Sequence, residues 1–145
     1  MTTFPPVDAL IPQRAPMRLV DEVLAADDGA ITCAAVVRAD NLFLRQGRVP
    51  AAVALEYMAQ AIAAHAGLGA RARGEPPAVG LIAACRSLEL HGDDDLAPGD
   101  RLVIDAARTF DGPLTEYRAR VARGGELLAE AVLHVARPNL ENPLP

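Results

Sequence analysis

The sequence predicts an α+β fold in which a curved antiparallel sheet wraps around one long central helix. The first observation is the order of elements: two strand-like segments, one long apolar helix and four more strand-like segments. The second is that this helix is apolar on nearly every side, so it must be enclosed. The third is that turn-forming residues separate the last four segments. At 145 residues, the chain is predicted to form a single domain over residues 1–145.

The N-terminal third is predicted to contain a short helix and a β-hairpin. Residues 7–11 suit a short helix because Pro12 follows them. Residues 17–26 and 31–37 are the predicted strands, and the Asp-Asp-Gly turn at 27–29 joins them. The polar segment that follows, up to residue 49, is predicted to be irregular.

The central helix is predicted to begin at Pro50, since a proline costs nothing in the first turn of a helix. It runs through alanine-rich sequence to Gly67 or Gly74, and Arg71 and Arg73 favour the negative end of the helix dipole. Polar residues and glycines interrupt its apolar character. We therefore do not expect it to span a membrane.

Four predicted strands follow the helix at residues 78–90, 101–109, 115–123 and 126–136. One enclosed helix with such a sheet is the arrangement of the hotdog fold. Two copies packed side by side would protect a sheet edge and cover more of the helix, so we expect at least a dimer.

Composition excludes several classes of function. The net charge of −5 argues against a nucleic-acid binder. Cys33 and Cys85 lie far apart in apolar runs, so both are predicted to be buried free thiols. No metal-ligand cluster, glycine-rich phosphate loop or secretory signal is visible. We expect no metal and a cytoplasmic location.

The helix carries one polar stripe that points to function. Glu56 and Gln60 lie four residues apart on one face, and small Ala63 and Gly67 continue it. One interpretation is that the stripe faces water or a subunit boundary. The other is that it lines a cleft in which Ala63 and Gly67 leave room for a ligand. A buried carboxylate there needs a partner or must hold its proton, as a general acid does.

Two segments resemble a known family. "LIPQRAPMRLVDEV" resembles the "LPHRYPFLLVDRV"-type opening of 3-hydroxyacyl-(acyl carrier protein) dehydratases, and "VPAAVALEYMAQA" resembles their "MPGVLIIEAMAQA" helix. The segments occur in the family's order, and the later strand pattern also matches. The helix is most similar to that of the hotdog dehydratases of aryl-polyene and related fatty-acid-like pathways, "VPAWVGLEYMAQAIAAYAG".

The resemblance implies a hydro-lyase that converts a 3-hydroxyacyl thioester into a 2-enoyl thioester. In the family, a histidine removes the proton beside the carbonyl, and a helix carboxylate from the other subunit protonates the departing hydroxyl. The carboxylate corresponds to Glu56. Gln60 matches the helix glutamine and would orient Glu56 or bind water.

The family's histidine has no counterpart here. Its loop reads "QGHFPGRPIMPG", whereas this chain has "QGRVPAA". Either Arg48 replaces the histidine, or the loop is shortened before Pro50; arginine stays protonated and cannot serve as an ordinary base. Gly47 and Arg48 are the predicted substrate-binding residues of this loop, together with Ala63 and Gly67 on the helix.

The chain's own histidines are predicted to be structural. His65 lies nine residues after Glu56, about 180° around the helix. His91 is beside a "GDDD" turn. His134 lies on the last strand, and the sequence leaves open from which face of the sheet it projects. Gln13 occupies the histidine position of the opening motif, which we interpret as structural.

Three functions stay open at this stage. The first is a dehydratase subunit that is impaired alone and complemented by a histidine from a second hotdog subunit. The second is a hotdog thioesterase that uses the helix carboxylate, and the third is a non-catalytic acyl-binding subunit. No cofactor is expected beyond the phosphopantetheine of an acyl carrier protein, or coenzyme A, that carries the substrate. Candidate contacts to an acidic carrier are Arg48, Arg71, Arg73 and Arg86.

Overall fold

A computed structural model describes residues 3–76, 81–92 and 94–136 of the chain. It contains one α-helix and six strands in these residues. They are β1 (Glu22–Ala26), β2 (Ala30–Val36), α1 (Ala54–Ala72), β3 (Leu81–Leu90), β4 (Arg101–Phe110), β5 (Leu114–Arg123) and β6 (Glu126–Ala136). Two single-turn 3₁₀ helices, Val7–Ala9 and Ala51–Val53, complete the regular structure.

The six strands form one antiparallel sheet in the order β1-β2-β4-β5-β6-β3. Helix α1 packs against β2, β4 and β5 in the middle of this sheet. The predicted combination of one long helix and an antiparallel sheet is confirmed. Strands β1 and β3 are the two edges of the sheet.

Side chains alternate between the two faces of the sheet, as the two-residue period of a strand requires. We call the face that packs on α1 the inner face and the opposite one the outer face. The inner face carries the buried residues of the central strands, which are Leu102, Ile104 and Ala106 on β4, Tyr117, Ala119 and Val121 on β5, and Ala129, Ala131 and Leu133 on β6. Tyr57, Met58 and Ala61 of α1 meet them in one core.

Helix α1 ends at Ala72, two residues before Gly74, which is the later of the two predicted ends. Gly74 has a positive φ of 71°, which a glycine adopts without steric cost. Its N–H donates to the Arg71 carbonyl, and the Glu75 N–H donates to the Ala70 carbonyl at 2.9 Å. This pair of bonds is the Schellman motif, and it satisfies carbonyls that the end of a helix leaves open. None of the described helices is both long and apolar enough to cross a membrane.

The first strand is shorter than predicted. β1 begins at Glu22 rather than at residue 17. The backbone N–H groups of Leu19 and Val20 donate to the side chain of Gln60 instead of joining a strand ladder. The predicted start of β3, residues 78–80, lies outside the described residues, and the predicted bounds of β6 are confirmed.

The two cysteines differ in exposure. Cys33 is fully buried on the inner face of β2, as predicted. Cys85 is exposed, so the prediction that both thiols are buried was wrong for this residue. It lies on edge strand β3, where the pairing register with β6 shifts on both sides of it. An apolar sequence context does not bury a side chain at an irregular sheet edge.

Candidate functional site

Glu56 and Gln60 are in direct contact. Glu56 is half-buried in the first turn of α1, where an acidic side chain is favourable for the helix dipole. The Gln60 amide Nε2 donates to Glu56 Oε1 at 3.0 Å. Only one carboxylate oxygen is engaged by this bond. The predicted contact is present, and the role of Gln60 in orienting Glu56 stays a prediction.

The Gln60 side chain also forms hydrogen bonds that link the N-terminal segment to the helix. Its Nε2 donates to the Met17 carbonyl at 2.8 Å, and its Oε1 accepts from the N–H groups of Leu19 at 2.8 Å and Val20 at 3.3 Å. The side chain is completely buried. All of its hydrogen-bonding groups are therefore used within the protein, and the orientation of the amide is fixed by the backbone of the opening motif.

Gly67 is small because the backbone of Leu10 packs against it, and not because it leaves room for a ligand, as predicted. A Cβ atom placed on Gly67 would lie 2.2 Å from the Leu10 carbonyl oxygen, so no side chain fits there. The predicted space for a ligand beside Gly67 is thus taken by the chain's own N-terminal segment. Ala63, one turn before, is only half-buried. Of the predicted stripe, Glu56 and Ala63 keep some exposure, whereas Gln60 and Gly67 are covered.

Four clefts formed by the described residues do not include Glu56. The largest of these four is a groove of about 520 Å³ across the outer face of the sheet, away from α1. Two others, of about 470 and 260 Å³, overlap near the C-terminal end of α1, and a fourth of about 60 Å³ lies beside Tyr57. None of these four is lined by Glu56.

The loop before the helix is a tight turn. Arg45 and Arg48 pair through N–H···O bonds of 2.6 and 3.0 Å, and Gln46 and Gly47 between them have positive φ values of 50° and 79°. Two positive φ values at the central positions are typical of a type I′ turn, which explains the glycine. Gly47 and Arg48 are exposed, and Arg48 makes no hydrogen bond or ion pair with Glu56 among the described residues.

Each of the three histidines is engaged away from Glu56. His65 is buried, with Nδ1 2.6 Å from the Tyr117 hydroxyl and Nε2 2.9 Å from the Asp27 carbonyl. Since a carbonyl only accepts, Nε2 carries a proton, and in the neutral ring Nδ1 accepts from the Tyr117 hydroxyl. His91 contacts Glu130 at 3.0 Å. His134 contacts Glu116 at 3.2 Å and faces outward, so it points away from the helix.

The four arginines proposed as carrier contacts are all exposed, namely Arg48, Arg71, Arg73 and Arg86. Arg73 pairs with Glu75 at 3.2 Å. The charge of Arg48 contributes to lowering the pKa of Asp100, which places this arginine near the turn before β4. No contact within the described residues joins the four into one patch.

Two features of the helix and its surroundings were not identified from the sequence. One is the backbone of residues 17–20, which holds Gln60; the match of this segment to the family's opening motif was the available signal. The other is Tyr57, whose hydroxyl accepts from Asn41 at 3.3 Å. Burial, and secondarily the charge of Asp21, raise the pKa of Tyr57 to about 12, so it stays neutral. An apolar helix gave no sign of this buried hydroxyl.

The family assignment follows from comparison with known proteins. The model of the ApeP-like family, described as ApeP dehydratase, matches residues 5–144 of the chain. The chain belongs to the ApeP-like family. It is accordingly a dehydratase-like protein with the hotdog fold, as the sequence predicted. No curated protein matches the chain.

Solved structures support the same fold. A chain of the dehydratase heterocomplex ApeI:P from Xenorhabdus doucetiae has 27% identity and a TM-score of 0.88, covering 97% of this chain and 95% of its own. The PaaI protein from the E. coli phenylacetic acid degradation operon has 15% identity and a TM-score of 0.63, covering 80% and 82%. A hypothetical thioesterase with coenzyme A from Streptococcus pneumoniae TIGR4 has 13% identity and a TM-score of 0.63, covering 81% and 85%.

Proposed function

We propose that this ApeP-like chain is the carboxylate-bearing half of a 3-hydroxyacyl thioester dehydratase. Glu56 is the general acid, and a second hotdog subunit supplies the histidine base. The observation that carries the proposal is the separation of acid and base. Glu56 is held by Gln60, whereas each of the three histidines is engaged at another place in the fold.

The reaction needs two proton transfers at neighbouring carbons. The base takes the proton from C2, beside the thioester carbonyl, and the electron pair forms the C2–C3 double bond. The C3–O bond breaks as Glu56 gives its proton to the departing hydroxyl, which leaves as water. Gln60 binds Oε1 of Glu56, so Oε2 is the oxygen available to carry that proton. One carboxyl group does not readily perform both transfers in one elimination, which is why a partner is required.

Edge strand β3 is the surface we assign to the second subunit. It is ten residues long, against five for the other edge, β1. It also exposes the apolar side chains of Ile82 and Leu90. A long apolar edge strand is a template for pairing with a strand of another chain. A partner that pairs with β3 would remove these apolar side chains from water. The similar protein ApeI:P is itself a heterocomplex, which favours a heterodimer over a homodimer.

The acyl group is proposed to arrive on the phosphopantetheine of an acyl carrier protein, as in fatty-acid-type biosynthesis. Carrier proteins are acidic, and a phosphate needs cationic partners. Arg48 is the arginine we favour for this contact because it lies in the loop that leads directly into the helix of Glu56. Arginine recognises phosphate through several N–H donors at once.

The test is a reconstitution. The hotdog protein that co-purifies from the native host is identified, and enoyl-thioester formation is followed with the pure chain, the pure partner and their mixture. We expect little product from this chain alone and a rise of roughly 10²–10⁴-fold in the mixture, the usual contribution of acid–base assistance. Efficient dehydration by the chain alone would contradict the proposal.

A thioesterase is the second candidate. The half-exposed Glu56 without a histidine favours it, since a carboxylate alone can activate water against a thioester. The same assay distinguishes the two, because hydrolysis gives a free acid and a thiol rather than an enoyl thioester. Acyl-carrier binding without either product would indicate a non-catalytic subunit.

A further inference from the structure

Three potential metal ligands meet at the end of edge strand β3. They are Glu89, His91 and Glu130, and one ligand atom from each lies within 4.8 Å of the other two. His91 Nε2 is already 3.0 Å from Glu130 Oε2. No metal cluster was predicted from the sequence, in which Glu130 lies about forty positions after Glu89 and His91.

The sheet geometry fixes all three positions. Glu89 and His91 are two residues apart and therefore project from the same side of an extended segment. Glu130 on β6 is the register partner of Glu89. The His91 N–H donates to the Leu128 carbonyl at 2.8 Å, so the β3–β6 pairing continues as far as this residue. Glu89 and Glu130 thus lie on paired strands, and His91 directly follows β3 with its backbone bonded to β6, so the three positions are held close together.

The group holds two carboxylates and one imidazole, and only Glu130 is paired with the imidazole. Two carboxylates directly opposite each other on neighbouring strands repel. Glu89 has no hydrogen-bond or ion-pair partner among the described residues. Arg120 is the register neighbour of Glu130 on β5, but its Nε faces Asp105 Oδ2 at 3.8 Å. A cation between Glu89 and Glu130 would offset this repulsion.

We propose that Glu89, His91 and Glu130 bind a first-row divalent cation of the Zn²⁺ class. One imidazole nitrogen and two carboxylate oxygens suit such a cation, whereas Mg²⁺ and Ca²⁺ prefer oxygen ligands alone. Bonds of about 2.0–2.2 Å require the ligand atoms to converge further, which the exposed glutamates do by rotation. The cation fastens the end of β3 to β6, on the outer face and independently of the chemistry at Glu56.

Metal binding is measured directly on untagged, metal-free protein. Zn²⁺ is titrated by calorimetry, and Co²⁺ is titrated by visible absorption as a reporter of nitrogen and oxygen ligands. We expect one equivalent per chain and a higher Tm with Zn²⁺, since a ligand bound only by the folded state stabilises it. His91→Ala and Glu89→Gln should lose saturable binding.

His134→Ala is the matched control. His134 pairs with Glu116 at 3.2 Å on the same sheet, but no third ligand joins this pair in the described part of the chain. This variant should bind Zn²⁺ as the wild type does. Circular dichroism of each variant confirms that it is folded, and Glu130→Gln gives an independent third ligand variant. Absence of saturable binding by the wild type, or equal binding by folded His91→Ala and Glu89→Gln, would overturn the proposal.

Discussion

Gln60 Nε2 lies 3.0 Å from Glu56 Oε1, and the same amide is bonded to the backbone of Met17, Leu19 and Val20. The opening segment and the central helix, which carry the two family motifs, thus meet at one buried side chain. The position of the proposed acid is set by a residue that also holds the fold together.

Replacing Gln60 by Leu should destabilise the protein strongly. The buried N–H groups of Leu19 and Val20 and the part-buried carbonyl of Met17 would lose their partner, at a cost of roughly 2–4 kcal/mol in the free energy of unfolding. Gln13→Leu is the matched control, because Gln13 Oε1 is buried without a hydrogen-bond partner. Chemical denaturation of both variants checks this, and equal losses would contradict the assigned role of Gln60.

Replacing Gly67 by Ala should destabilise the chain by about 1–3 kcal/mol, the usual cost of overpacking. The new Cβ would lie 2.2 Å from the Leu10 carbonyl oxygen, so the N-terminal segment would have to move. Gly69→Ala, two residues later, meets only the flexible Arg73 side chain at 3.3 Å. That variant should gain up to about 1 kcal/mol from helix propensity. Thermal unfolding of the pair decides whether Gly67 packs on Leu10.

The two cysteines should differ in reactivity. Burial, and then the charge of Asp105, raise the pKa of Cys33 to about 12, so almost no thiolate forms near neutral pH. Cys85 is exposed. We expect a thiol reagent at pH 8 to modify one cysteine per native chain and both after unfolding. If the second subunit covers β3, it should also slow the modification of Cys85. Rapid modification of Cys33 in the native chain would show that the core is more open than described.

The ion pair of Asp100 with Arg123 should make stability depend on pH in the acid range. Partial burial opposes ionisation of Asp100, but hydrogen bonds from the Ala97 N–H and from Arg123 at 2.9 Å outweigh it and lower the pKa of Asp100 below 3.8. A lowered pKa in the folded state stabilises the protein above the unfolded value and loses this effect as the pH falls through the folded value.

Asp100→Asn should therefore be less stable than the wild type at pH 7, and the difference should shrink below about pH 4. Urea unfolding of both proteins across this range provides the measurement. Glu22→Gln, at the exposed first position of β1, is the control. A difference between wild type and Asp100→Asn that is constant with pH would contradict the ionic contribution.

The elements that the sequence predicted well are those that local chemistry determines. β6 lies between a Gly-Gly turn and the described end of the chain, and its predicted bounds match. The end of α1 follows from Gly74, because its positive φ of 71° lies in the left-handed region that a glycine adopts without steric cost. The choice of Glu56 and Gln60 as neighbours follows from their spacing of four residues on a helix.

The features that the sequence did not predict depend on contacts between distant residues. Residues 17–20 look like a strand, but Gln60, about forty positions away, takes their hydrogen bonds. Gly67 was interpreted as room for a ligand because nothing local shows that Leu10 crosses there. Cys85 lies in an apolar run, but strand order determines that β3 is an edge. The roles of Gly47, Arg48 and Ala63 in binding substrate stay predictions.

The most direct test of the central claim is the rate of enoyl-thioester formation by the reconstituted complex when Glu56 is replaced by Gln. The amide keeps the shape of the side chain but has no acidic proton to give. We predict a loss of roughly 10²–10⁴-fold in kcat, unchanged assembly with the second subunit, and full activity for the exposed control Glu126→Gln. A complex that carries Glu56→Gln and dehydrates its substrate at the wild-type rate would contradict the account.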